Sequence, residues 1–553
     1  MAVSRLVFTL ALTAAWPFVA GARYRQSYDA WTHMFFADHY RRDWWALWEN
    51  RWYGGFPVVS YPPLVHQLIA FLAFGVGVEV AWALVLLTTL VLLPFVVSAF
   101  ARRFVGSRAS RYAGLLTPFI PAVPMVAHTF GQLPTLFGLT AALLGFGFLV
   151  DFLRTGRRVD GVRAGLWLVV ADAAHHGTLL LVPWGVAAAA LHVGRPASLA
   201  RRLMPWVLGT AAGVGLVSWP FWAWALGQTL QEPIDHLSRH SFIADPAAAG
   251  VFFWPMYGPL VFVIPLALKV ALGRRRRGLG LLFGVCFVLG LGGTTPLPAL
   301  LFGPAWEWLT YDRFTLWASV FLAPLVGAAA VRLGRRVSQA RRVTGATLLA
   351  GSALYAGSYG LIASTQPALV DPDPIVQFLQ RDDVRTWRYV TFGFGDQLAR
   401  LSMLTEAENI DGNYPTGRTL PFLRASGLGS LDSAYWLEGG LERLDRVLGR
   451  LSEVGVRWAF VNHPAYLALL AAHGWERRET LPNGVEVWEN PTAQGPLPPG
   501  KPHFPPLTAL SWGILPPLSL IAAVGTTFGP AHLPVRRRGR TWDDVGAKET
   551  RVV

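Results

Sequence analysis

Tyr28-Asp29-Ala30-Trp31-Thr32-His33 opens a stretch that runs on through Trp44-Trp45, Trp52-Tyr53-Gly54-Gly55 and Tyr61-Pro62-Pro63-Leu64. It follows the apolar run Leu6–Val19, so acids, bases and tryptophans crowd together just outside a hydrophobic span. How this stretch is read decides the fold. In a soluble protein it would be a surface loop; beside a membrane it is an interfacial segment whose tryptophans sit at headgroup level.

Composition selects the membrane. The 553 residues are 53% hydrophobic and only 15% charged, with mean hydropathy +0.38, whereas soluble domains carry about 25% charged residues. The formal charge of +15 would suit nucleic acid, but the arginines lie in short clusters between apolar runs, as cytoplasmic loops do. No nucleic-acid partner is expected. The single cysteine, Cys286, lies in an apolar run and excludes an intramolecular disulfide framework or a Cys-based zinc site. Arg5, Leu6–Val19 and Ala20-Gly21-Ala22 together resemble a cleavable signal. A retained first span is expected, because many spans follow.

Runs able to span a bilayer recur at about 6–22, 79–101, 112–128, 133–152, 164–175, 177–193, 204–224, 252–272, 279–293, 313–332, 344–363 and 507–528. With a cytoplasmic N-terminus and alternation of these twelve, every basic cluster falls inside. These are Arg102-Arg103 with Arg108 and Arg111; Arg154, Arg157, Arg158 and Arg163; Arg195, Arg201 and Arg202; Arg274–Arg277; Arg332 to Arg342; and Arg536–Arg540. Leu64–Val78 would break the alternation if it spanned, so it is expected to be a juxtamembrane or re-entrant part of the first outer loop, 22–78.

Segment 365–506 differs. It holds 17 acidic and 13 basic residues, net −4, leaving +19 for the rest of the chain. Strand-like runs at Trp387–Phe392 and Val456–Val461 alternate with helical patterns at Leu441–Leu451 and Pro464–His473. Asn483-Gly484 between extended runs signals a two-residue hairpin. The expected fold is therefore mainly α: a polytopic helix bundle of about 12 spans, all but the last over 1–364, an extracytoplasmic α/β domain with a Pro-rich linker over 365–506, and the last span with a basic tail over 507–553.

Chemistry needs ionisable groups at the outer face, where they are costly unless used or solvated. Asp29 and His33 are four apart and share a helix face; a carboxylate there could deprotonate a hydroxyl or hold a divalent metal. Asp38, His39, Arg41, Arg42 and Asp43 follow in the same loop. Glu232, Asp235, His236, Arg239 and His240 crowd a later loop, and Glu307, Tyr311, Asp312 and Arg313 precede a span. His236, Arg239, His240 and Arg313 could form a cationic pocket for a lipid phosphate. A solvated loop and a salt bridge are the plain alternatives. His175 and His176 read as helix-end polar residues or ligands. No H-x-E or HExxH spacing marks a zinc site.

The residues Asp29, His33, Trp52, Gly54, Gly55, Tyr61, Pro62, Pro63, Leu64 and Arg102-Arg103 together resemble the GT-C superfamily of polytopic glycosyltransferases. Within it, Thr391-Phe-Gly-Phe-Gly-Asp396, Asp411-Gly-Asn-Tyr414 and Val485-Glu-Val-Trp-Glu-Asn490 resemble the prokaryotic membrane proteins labelled "6-pyruvoyl-tetrahydropterin synthase-related". The resemblance implies transfer of a sugar from a polyprenyl-phosphate donor to a glycan, lipid or protein acceptor at the outer face of a prokaryotic cell membrane, with inversion. Asp29 then matches the family's first-loop acid, base or metal ligand. Asp38 or Asp235 could be the second acid, but neither forms D-x-D or E-x-D, so no cofactor is certain and a magnesium or manganese ion stays open. Arg239 or Arg313 could hold the donor phosphate. Two other readings compete: a transporter or flippase for a lipid-linked or anionic solute, with Asp172 as the one mid-span acid, and a non-catalytic membrane scaffold.

Overall fold

A computed structural model describes residues 2–194, 196–229, 231–333, 339–358, 366–495 and 504–529. Arg195, Arg335, Arg336, most of the Pro-rich linker (496–503) and the basic tail (530–553) lie outside the described residues. The chain starts with helix α1 (Ala2–Ala20), then α2 (Ala30–Arg42), a two-stranded ladder of β1 (Trp48–Glu49) and β2 (Phe56–Pro57), α3 (Leu64–Val76) and α4 (Val78–Val105).

Among the described residues, eight helical segments are long and apolar enough to cross a membrane: Val3–Ala20, Val78–Val105, Leu133–Thr155, His176–Val193, Leu199–Ala225, Pro246–Ala271, Asp312–Arg332 and Pro506–Phe528. The chain is a multi-pass membrane protein. The other four expected runs are helical over part of their described length, and none is among these eight. The 112–128 run is cut by Pro118, Pro121 and Pro124 into short turns, because proline removes a donor and clashes with the preceding turn. Arg158–Ala174 carries Arg158, Asp160, Arg163 and Asp172. Arg277–Leu289 has only 13 residues. Gln339–Ser358 opens with Arg341-Arg342 and leads into residues that are not described. Helix α3 also has 13 residues, about 20 Å at 1.5 Å per residue, against a hydrocarbon core of about 30 Å. It is too short to span.

The basic clusters meet at one end of the bundle. Arg103 pairs with Asp151 at 2.6 Å, and Arg154 donates to the Arg103 carbonyl. Arg202 donates to the Leu153 carbonyl, and Arg163 to the Thr526 carbonyl at the end of the last helix. The first loop is at the opposite end of α1 and α4.

Residues 366–495 form an α/β unit on a four-stranded sheet, order β3-β4-β6-β5. Strands β3 (Arg388–Phe392) and β4 (Val456–Val461) run parallel; β5 (Glu476–Thr480) and β6 (Glu486–Glu489) form an antiparallel hairpin. Its turn places Gly484 at φ +85°, which the Asn-Gly pair accommodates. Parallel strands need a crossover, and the helices Gln397–Leu404 and Gly440–Leu448 lie within it.

The α/β unit and the first loop are hydrogen-bonded in series. Tyr389 of β3 exchanges backbone bonds with Glu408 and Ile410, while Asn409 does the same with Arg51 and Tyr53. Trp52 is fully buried, stacks on Phe35 at 3.9 Å and donates to Ser402 Oγ. Burying an indole that size, with its N–H satisfied, contributes several kcal/mol. The last helix is tied to the same block: Trp512 donates to Tyr40 Oη, Trp44 to the Gly513 carbonyl, and Gln67 to the Trp512 carbonyl.

Candidate active site

Asp29 is the N-cap residue of α2, yet its side chain makes no capping hydrogen bond. The first amides of a helix need partners, and here they come from far along the chain. Trp31 N–H donates to Asp396 Oδ2 at 2.7 Å, and Thr32 N–H and Oγ1 donate to Oδ1 at 3.2 and 2.7 Å. The Asn413 amide adds a fourth bond at 3.1 Å. Asp396 follows β3 on the loop Gly393-Phe394-Gly395, whose amides are fixed by Asp432.

Asp29 is thereby left facing other charges. Burial, then the negative charges of Asp396 and Asp312, push its carboxyl up to about 8, against a hydrogen bond from Gln132 and the positive charge of Arg313. Residue 29 as a whole is only partly covered, but its carboxyl is deep enough for desolvation to dominate. Burial likewise raises Asp396 to about 7, although four donors oppose it. Gly131, at φ +73°, packs beneath this turn; a Cβ there would fall 2.5 Å from Ser27 Oγ and 2.6 Å from the Ala30 nitrogen.

Opposite lies the start of the Asp312 helix. Asp312 is 2% exposed, and neither carboxylate oxygen has a hydrogen-bond partner among the described residues. An orphaned buried carboxylate is costly and marks a place where a ligand or ion would be stabilising. Arg313 donates to Thr310 Oγ1 at 2.8 Å, leaving its Nε without a partner among the described residues. Its guanidinium lies against Gly177, where a Cβ would come 2.3 Å from Nη1. The 232–240 loop closes the site: Tyr311 N–H donates to Ser238 Oγ, and Gly293 N–H to the His240 carbonyl. His236 is pushed down to about 4 by burial; the charges of Asp312, Arg239 and Arg313 also act on it.

Of the sequence candidates, Arg313 acts electrostatically on both Asp29 and His236, and Arg239 acts on His236; the others are engaged elsewhere. His33 shares the first turn of α2 with Asp29 through their backbones. Its ring instead meets His66 at 3.2 Å and stacks on Trp82, and burial drives it down to about 3. The ring is packed among Tyr61, His66 and Trp82. Asp38 is 2% exposed and bound by Arg41, Arg42 and Arg51, so it is not a second free acid beside Asp29. Although burial raises Asp38, those guanidiniums hold it below the usual carboxylate range. Asp235 is spent on His240 at 3.0 Å, whose other ring nitrogen meets Asp245 at 2.7 Å. Both nitrogens of His240 are therefore committed, and the two carboxylates raise its basicity. The acids that do face Asp29 are Asp312 and Asp396. The pairing Asp312-Arg313 at the head of a span was a signal for the first; only the Gly-flanked loop pointed toward the second.

No family model matches the sequence, and no curated protein does. Solved structures do. The oligosaccharyltransferase of Archaeoglobus fulgidus, in complex with Zn and sulfate, matches with TM-score 0.54 and 12% identity over 88% of this chain and 72% of that one. ArnT from Cupriavidus metallidurans, bound to undecaprenyl phosphate, matches with TM-score 0.53 and 14% identity over 89% and 99%. The arabinofuranosyltransferase AftD from Mycobacteria matches with TM-score 0.56 and 13% identity over 89% of this chain and 41% of that one. The chain shares the fold of these three proteins.

Proposed function

We propose that the protein is an integral membrane glycosyltransferase that moves a sugar from a polyprenyl-phosphate donor to an acceptor hydroxyl at the outer membrane face. The observation that carries this reading is the Asp29 carboxyl, which does not cap its own helix and lies within electrostatic reach of Arg313 and the orphaned Asp312. A base works best when its pKa is near the working pH. Asp29 takes the proton of the acceptor hydroxyl as that oxygen attacks the anomeric carbon. The bond from that carbon to the phosphate oxygen breaks, and the phosphate leaves with the electron pair. Attack opposite the leaving group inverts the centre. Arg313, Arg239 and the His236 ring face the developing phosphate charge, where fixed donors lower the barrier most. His33 supports α2 from behind and does not touch the substrate.

A magnesium or manganese ion would be held by the two Asp312 oxygens that have no partner among the described residues, with Asp29 as a second carboxylate donor. Such an ion would supply charge neutralisation at the leaving phosphate. Among the described residues no group of three or more His, Cys, Asp or Glu converges on one point, so the ion is a proposal for a two-carboxylate site. The basic end of the bundle would be cytoplasmic, with the α/β unit outside.

The test is transfer in membranes supplied with a panel of radiolabelled polyprenyl-phosphate sugars. Asp29→Asn should lower turnover at least about 100-fold with unfolding unchanged or improved. Full activity in that variant would refute the assignment. One observation favours a transporter instead: Asp172 is fully buried and meets His176 Nδ1 at 2.8 Å, with its other oxygen unpartnered among the described residues. Solute flux that is abolished by Asp172→Asn and indifferent to Asp29→Asn would favour that reading.

A further inference from the structure

Strands β3 and β4 are parallel, and in open α/β sheets ligands gather beyond the carboxyl ends of such strands. Beyond β3 the chain enters Gly393-Phe394-Gly395-Asp396; beyond β4 it enters Asn462-His463. The two exits are in contact. Gly393 adopts φ +86°, and a Cβ there would come 2.5 Å from His463 Cβ. Asn462 N–H donates to the Phe392 carbonyl at 2.8 Å.

A third segment completes this rim. Asp432 accepts from the amides of Phe394 and Gly395 through its side chain, and from Gly393 through its carbonyl. Tyr466 Oη donates to the Asp432 carbonyl at 2.7 Å and accepts from Tyr435 N–H at 3.0 Å. The segment 432–436 is therefore pinned to the same loop that carries Asp396 to α2. On it stand Tyr435 and Trp436, 45% and 50% exposed. Tyr435 lies 4.4 Å from the His463 ring at a shallow 32°, Trp436 lies 5.7 Å from it, and the two are 6.0 Å apart at 71°. His463 Nδ1 accepts from Ala465 N–H, so Nε2 carries the ring proton.

Large aromatic rings held rigidly and left half in water are out of place on a surface that serves only for solubility. Their backbone is over-determined by hydrogen bonds, so the exposure is not that of a loose turn. Rings at angles to one another, with a histidine N–H and the exposed Glu438 beside them, suit a ligand with apolar C–H faces and hydroxyl edges. Such a ligand is a pyranose or furanose sugar.

We propose that Tyr435, Trp436 and His463 form a glycan-binding platform at the carboxyl end of the sheet, seating sugar residues of the acceptor next to the loop that ends in Asp396. The acceptor role rests on the transferase reading; glycan binding itself does not, since it requires nothing of Asp29.

The full-length protein in nanodiscs, applied to an array of neutral manno-, gluco-, galacto- and arabino-oligosaccharides, tests this. Wild type should retain at least one oligosaccharide class. The double variant Tyr435→Ala/Trp436→Ala should lose about tenfold in retention with unfolding temperature unchanged, because both rings are half exposed. Tyr435→Phe/Trp436→Phe should keep most of the binding, and Asp29→Asn should bind like wild type while losing transfer. Retention that fails for every array glycan, or that survives the alanine pair, overturns the platform. Trp436→Cys carrying a bimane label should be insensitive to brominated lipids; quenching by them would make the rings a membrane-interface anchor and overturn the proposal too. If glycans bind and no polyprenyl-phosphate sugar is ever transferred, the platform stands and the transferase reading falls.

Discussion

Asp396 caps the helix whose N-cap residue is Asp29, across 365 residues of chain. Its carboxylate takes the Trp31 and Thr32 amides, a job that an N-cap aspartate ordinarily does for itself. The consequence is that Asp29 is free to face Arg313. Replacing Asp396 with alanine should cost about 0.5–2 kcal/mol in stability as a lost cap, and should let Asp29 turn back to cap its own helix. Transfer should then fall by at least about tenfold. Asp396→Asn keeps one carboxamide oxygen for Thr32 and should unfold closer to wild type. Thermal unfolding in detergent, run alongside transfer assays, separates the two effects.

The same pair sets a pH dependence. Asp29, raised to about 8 by burial and by Asp396 and Asp312, must lose its proton to act as base. Turnover should therefore climb from about pH 7, pass its midpoint near pH 8 and level off above about pH 9. Removing the negative charge in Asp396→Asn should move the inflection to lower pH. A profile that is flat over this range, or an inflection that ignores residue 396, would count against Asp29 as the base.

Stability should run the other way. An acid whose native pKa lies above its unfolded value near 4 binds more protons when folded. Asp29 therefore weakens the fold as pH rises from about 4 toward 8, where the buried group must ionise. Asp29→Asn removes that cost, so it should unfold at a higher temperature than wild type at pH 8, with a smaller difference at pH 5. Activity sites often carry such a stability penalty.

What the sequence made legible follows the range of the forces involved. Apolar periodicity and proline positions placed the helices, because spanning and breaking are local properties. The strand at 456–461 and the Asn483-Gly484 turn were readable for the same reason. Asp29 was readable as an acid beside a span. The partners were not. Asp38 shares the loop with Asp29, but Arg51 returns from the β1 end to claim it, and no spacing rule announces that. Asp235 read as a possible second acid and His240 as a phosphate donor, and they are partners of each other. Asp396 reaches Asp29's helix in a region where Asn409 bridges Trp52 of the first loop and Tyr389 of β3. That contact between distant segments has no sequence signature.

The Arg51 network is the clearest place to tell structural charge from catalytic charge. Arg51 is 3% exposed and binds Glu49 at 2.6 Å and Asp38 at 2.6 Å, while Glu49 also meets His39 at 2.9 Å. Deleting the guanidinium in Arg51→Ala would leave buried Glu49 with no cation beside it other than the His39 ring, while Asp38 keeps Arg41 and Arg42. The expected cost is about 3–5 kcal/mol, the price of an uncompensated buried charge, read as poor yield and a lowered unfolding temperature. Arg51→Lys should recover little, since one ammonium cannot serve both carboxylates with a planar fork.

Gly177 offers the converse experiment, a change beside a proposed catalytic charge that leaves that charge in place. Gly177→Ala puts a methyl where Arg313 Nη1 now lies, 2.3 Å from the new Cβ. The guanidinium is the far end of a flexible side chain and can move, but the buried His175 ring, whose Cε1 lies 2.6 Å from the new Cβ, must shift as well, so the fold should survive with some loss of stability. Its displacement should fall on the phosphate it is proposed to hold. The Michaelis constant for the lipid-linked donor should rise several-fold, while that for the acceptor stays put. Arg313→Ala should do the same and more, by roughly 10–100-fold in kcat/KM for about 1.5–3 kcal/mol of a charge-assisted hydrogen bond. If Gly177→Ala raised the acceptor constant alone, Arg313 would belong to the acceptor side of the site, and the donor phosphate would have to be held by Arg239 and His236.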